Sequence, residues 1–146
     1  MRTNELIQLG FAGVVFGVGM FAGSALQERA TLHAQANRVF EIRTYTAPEG
    51  KLEELHARFR NHTLRIFNKH NMTSVGYFRP QDAPLKDNTL IYVLAHPSCD
   101  AAKKNWADFS ADPEWQKVST ESQVNGRIVS KVESVFADPA DYSPIK

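Results

Sequence analysis

Six residues of this chain have side chains that could hold and process a small molecule: Arg43, Tyr45, His62, Tyr77, Tyr92 and Trp106. A guanidinium fixed in place receives an anionic or carbonyl-bearing ligand, and the aromatic and imidazole groups could orient an oxidisable or isomerisable substrate. Each also has a plainer use. Arg43 can be one half of an ion pair with Glu133, the four aromatics can be core or interface, and His62 can be a hydrogen-bonded core histidine. No Ser/His/Asp order, phosphate-gripping glycine loop, paired carboxylates or His-x-x-x-His spacing accompanies them, and His56, His62, His70 and His96 are scattered. The sequence names no catalytic residue, no metal and no cofactor.

The element that positions the first two candidates is Val39 to Tyr45, V-F-E-I-R-T-Y. Alternation along a strand puts Phe40, Ile42 and Thr44 on one face and Glu41, Arg43 and Tyr45 on the other. Helices are expected on the apolar face, leaving the charged face for water, a ligand or another protein surface. Leu52, Leu55, Phe59, Ile66 and Phe67 then recur at helical spacing up to about Lys69, which predicts one amphipathic helix with His62 on or near its buried stripe. Asn71 suits the left-handed helix exit.

Thr73 to Phe78 is a short strand, residues 79–88 form a polar loop with two prolines, and Thr89 to Ala95 is apolar enough for a central strand. Ser98 caps a second helix carrying Trp106 and Phe109. Asp112 and Pro113 open a further short helix through about Glu121. Ile128 to Phe136 is the last strand, with Val129, Lys131, Glu133 and Val135 sharing a face. The order β-α-β-β-α-β folds as a ferredoxin-like α+β unit, a four-stranded antiparallel sheet with helices on one face. Its first and last strands are neighbours, so Glu41 and Arg43 are expected opposite Lys131 and Glu133 on the helix-free face, among Tyr45, Ile91, Val93, Val129 and Val135.

The 146 residues carry seventeen basic and sixteen acidic side chains, a net charge of +1 that gives no footprint for nucleic acid. The one cysteine, Cys99, cannot close an intrachain disulfide and is expected to be buried. Residues 1–36 read as a leader. Leu6 to Leu26 is apolar and glycine-rich, and Ala34-Gln35-Ala36 fits signal-peptidase cleavage before Asn37. The expectation is export, giving a periplasmic or secreted domain over residues 37–146. In the alternative, residues 6–26 stay as an anchor with the domain outside the cytoplasm, the only contact with membrane.

Taken in order, F-E-I-R-T-Y at 40–45, P-E-G-K-L at 48–52, V-G-Y-F at 75–78, D-P-E-W at 112–115 and Y-S-P-I-K at 142–146 resemble the NIPSNAP family across the whole domain. The resemblance implies a dimeric α/β barrel, in which the sheets of two chains face each other and enclose the mixed face of the first strand. It further implies a homodimeric small-molecule-binding or protein-interaction module without established catalysis. The wider superfamily includes cofactor-free monooxygenases, so the alternative is a small cofactor-independent enzyme, monooxygenase- or isomerase-like. The apolar leader departs from the arginine-rich mitochondrial presequence of animal members and points to bacterial export.

Overall fold

Strand β1, Val39–Thr46, pairs antiparallel on both sides, and the sheet is built outward from it. The computed structural model describes residues 38–146; the leader expected over residues 1–36 lies outside the described residues. With β2 (Thr73–Phe78), β3 (Thr89–His96) and β4 (Lys131–Ala137), the four-stranded order is β2-β3-β1-β4, the ferredoxin-like arrangement. The central place of β3 and its hairpin-like pairing with β2 match the reading of the sequence. The last strand starts later than expected, because Ile128 turns fully into the core and Val129 packs beside it before Ser130 bonds back to the Thr46 carbonyl.

The helices take the opposite face of β1 from the one expected. Glu41, Arg43 and Tyr45 lie in register with Leu94, Tyr92 and Leu90 of β3, all three of which are completely buried beneath the helices. Ile42 lies opposite Val93 and Val135 on the helix-free face, where it is 39% exposed. Alternation fixes which residues share a face, but not which face a helix covers, and β3 is apolar on both sides. The predicted Arg43–Glu133 pairing falls with this correction. Arg43 stands opposite Ser134, whereas Glu133 points away from it and pairs with Lys131 at 2.9 Å. Tyr45 and Val129 likewise leave the helix-free face, while Ile91, Val93 and Val135 remain there.

The first helical segment is α1 (Leu52–Arg58), a π-helical turn (Phe59–Thr63) and α2 (Leu64–Lys69), in place of one regular helix. Its inward residues explain the wide turn. Arg58 and Thr63 are both buried although they stand five apart, the repeat of a π turn and one more than an α turn brings to the same side. The Thr63 hydroxyl donates to the Arg58 carbonyl at 3.3 Å, bridging the widened turn. The extra residue also moves His62 off the stripe, and it is exposed, with Thr63 taking the inward place. Thr63→Val is expected to cost about 1 kcal/mol in denaturant unfolding, the usual net worth of such a bond.

Local signals elsewhere hold. Asn71 adopts φ 57° at the exit of α2, and Ser98 caps α3 (Cys99–Ala111) by accepting from the Ala101 amide at 3.1 Å. Asp112 caps α4 (Pro113–Glu121) with Pro113 in its first turn, and also receives Lys69 and His70, each at 2.6 Å. Cys99, expected to be buried, is exposed in the first turn of α3, whose inward positions are Ala102, Asn105 and Phe109. The core has an aromatic centre: Phe59, Phe67, Phe109 and Tyr92 interlock at centroid distances of 5.1–6.1 Å, with Trp115 against Phe109 at 4.4 Å.

Residues 137–145 pass over the helix-free face. Between this tail and the sheet is a cleft of about 480 Å³ walled by Phe40, Ile42, Val75, Phe78 and Val93. Among the described residues no helix is long and apolar enough to cross a membrane.

Candidate functional site

Under the helices the sheet carries a buried polar cluster centred on Glu41, which is 1% exposed. Its Oε1 accepts from Arg43 Nη1 at 2.6 Å and Ser134 Oγ at 2.7 Å, and its Oε2 from Trp106 Nε1 at 2.6 Å and His96 Nε2 at 3.1 Å. An ionised carboxylate only accepts, so His96 carries its proton on Nε2. Burial works to raise the pKa of Glu41, but the bonds from His96, Trp106, Ser134 and Arg43 outweigh it and hold the group at about 2, down from 4.5.

Arg43 is gripped from three directions. Its guanidinium carbon lies 4.1 Å from the Trp106 ring centre and 5.5 Å from that of Tyr45, with Glu41 at its edge. Burial would pull its pKa down, yet the neighbouring Tyr45 and Tyr92 and the Glu41 carboxylate more than offset this, and the pKa is raised. Tyr92 is completely buried, and its hydroxyl has no hydrogen-bond partner among the described residues; burial, followed by Tyr45, pushes its pKa up. Tyr77 stacks on Tyr92 at 5.7 Å. A bulge between Ser74 and Gly76 puts Ser74 and Tyr77 on one face, where their hydroxyls meet at 2.6 Å.

Five of the six candidate residues, Arg43, Tyr45, Tyr77, Tyr92 and Trp106, are therefore gathered in one aromatic and polar cluster between sheet and helices, Arg43 and Tyr45 having been expected on the helix-free face. His62 is apart from them, lining a groove between α1, the π turn and α4. The reading of the sequence overlooked His96 and Ser134 as partners of Glu41, and gave Arg58 no inward place. A histidine ending a strand as apolar as β3 was the available signal for the first. For Arg58 the signal was its place in the buried set Leu52, Leu55, Arg58 and Phe59.

The cluster's chemistry is that of a fixed scaffold. General bases work best with a pKa near the operating pH, and Glu41, held far below it with all its acceptor sites occupied, has no lone pair to offer a substrate. Tyr92, shifted upward, is a correspondingly poor acid.

The fold recurs in solved structures. A NIPSNAP family protein of unknown function from Agrobacterium tumefaciens superposes with TM-score 0.67 at 24% identity, covering 76% of this chain and 96% of its own. A NIPSNAP-like domain protein from Burkholderia xenovorans gives 0.65 at 19%, covering 75% and 90%. SnoaB, a cofactor-independent oxygenase from Streptomyces nogalater, gives 0.50 at 17%, covering 75% and 99%, a likeness of fold alone. No curated protein matches the chain. The NIPSNAP family profile matches residues 40–144, from the strand that carries Glu41 and Arg43 to the tail over the helix-free face, and the chain belongs to the NIPSNAP family.

Proposed function

We propose that this protein is an exported homodimeric binding module that takes up a small molecule without turning it over. The observation that carries the dimer is the helix-free face of the sheet. With the tail in place over this face, Ile42, Phe78 and Val135 still stand 39%, 53% and 61% exposed on it, with Val75 beside them, an apolar surface that an isolated soluble chain seldom leaves open. The occupant is a second copy presenting the same face. A two-fold interface needs a self-complementary patch, and this one joins an apolar centre to a rim carrying both a cation and an anion, Lys131 and Glu133. Export rests on the apolar run before the domain and the Ala34-Gln35-Ala36 pattern. Binding without catalysis is supported by the saturated Glu41.

Sedimentation of residues 37–146 is expected to show dimer and no monomer at micromolar concentration. Ile42→Glu puts a charge in the middle of the patch without touching the helix-side core, so a folded monomer is the expected result. A wild-type chain that sediments as a monomer overturns the dimer. N-terminal sequencing from the native host tests cleavage before Asn37.

A further inference from the structure

The groove between α1, the π turn and α4 has about 320 Å³ of space, lined by Glu54, Arg58, Asn61, His62, Glu121 and Ser122 with Ala57 and Val118. Its distinctive member is Arg58. This side chain is 6% exposed, yet among the described residues no carboxylate pairs with it, its Nε has no partner, and Nη1 reaches only the Ser122 hydroxyl at 3.5 Å. Arg43, the half-buried arginine of the helix side, has Glu41. A guanidinium left this dry is costly unless an anion completes it. Part of its support is aromatic, since it lies 5.2 Å from the Trp115 ring centre. That leaves its edge nitrogens, which match a planar carboxylate, without a counterpart. Burial lowers its pKa, with Tyr45 and Tyr92 partly opposing.

The groove is mixed in charge. Glu54 is engaged by Lys51 at 2.7 Å and Glu121 by Lys117 at 3.9 Å, but both acids still line the space, and a polyanion such as phosphate would meet them. Asn61, His62 and Ser122 supply further hydrogen-bonding groups. We infer that this groove binds a small zwitterionic carboxylate of amino-acid size, its carboxylate on Arg58 and its ammonium toward Glu54 and Glu121. The π turn is part of the site, because it follows Arg58 directly and supplies Asn61 and His62 to the lining. The inference rests on the reading of the protein as a small-molecule binder but not on the dimer, since the groove lies on the helix side.

The test is an NMR titration of residues 37–146 with glycine, β-alanine, γ-aminobutyrate, acetate, methylammonium and inorganic phosphate, following the Arg58 Nε–H signal and the amides of Asn61, His62 and Ser122. At least one zwitterion is expected to shift these signals saturably and at tenfold or more lower concentration than acetate, methylammonium or phosphate. Arg58→Met abolishes the response. Should that variant fail to fold, Glu54→Gln with Glu121→Gln serves, weakening the zwitterion and strengthening acetate. Acetate binding as tightly as every zwitterion overturns the ligand class, and no saturable shift from any of the six at about 50 mM, far above the 1 mM that weak sites reach, overturns the site. Sedimentation of the same samples reports on the dimer separately.

Discussion

Glu41→Gln is expected to destabilise the domain by on the order of 3 to 5 kcal/mol, the cost of removing one partner from a buried charge pair. The amide would leave Arg43 buried without a counter-charge and would turn its NH₂ toward groups that are all donors. The same residue governs the acid limb of stability. Its pKa falls on folding, so the native state binds fewer protons than the unfolded one, and its contribution is complete above the ordinary carboxylate value. As pH drops from 4.5 to about 2 that contribution disappears, an amount of roughly 3 kcal/mol at 1.36 kcal/mol per unit. Chemical denaturation at a series of pH values should therefore show a steep loss in this window for the native chain and a flatter profile for Glu41→Gln. Equal slopes in the two proteins would mean that Glu41 is not held as described.

Arg43→Met should cost a similar 3 to 5 kcal/mol by leaving Glu41 buried with its charge no longer balanced by a cation, and by emptying the slot between Trp106 and Tyr45. The two side chains act as a unit. Arg43→Met combined with Glu41→Gln should accordingly be less damaging than the sum of the single changes, with a coupling of about 1 to 3 kcal/mol measured by a double-mutant cycle. Glu133→Gln is the control: exposed on the other face and paired with Lys131, it should change stability by no more than about 0.5 kcal/mol and give no coupling with Arg43.

Features set by local chemistry were readable from the amino-acid sequence. Ser98 and Asp112 sit where an amide needs an acceptor, Asn71 where the backbone needs positive φ, and the apolar run of β3 where a strand is flanked on both sides. The face of β1 was not, because it depends on the partner strand. Glu41, Arg43 and Tyr45 are on the helix side through their register with Leu94, Tyr92 and Leu90, and a strand that buries a carboxylate and a guanidinium together looks, one residue at a time, like a strand facing water. The aromatic candidates came together regardless, since their alternation survives a swap of faces. His62 left the buried stripe for a different reason: periodicity counts in α turns, and the turn that follows Arg58 is wider.

That wide turn gives the domain a junction at which chain length and side-chain direction can be traded. Remove one exposed position between Arg58 and Thr63 and those residues stand four apart, so an unbroken α-helix presents the same inward set to the same sheet. Among kindred chains, a one-residue gap inside this helix is then a genuine structural difference and not an error of alignment. Chains that carry the gap should keep the aromatic core and the inward arginine while losing one residue from the exposed stretch that includes Asn61 and His62. The presence of the additional residue becomes, in a comparison of lengths alone, a marker for chains that keep the groove wall formed by Asn61 and His62.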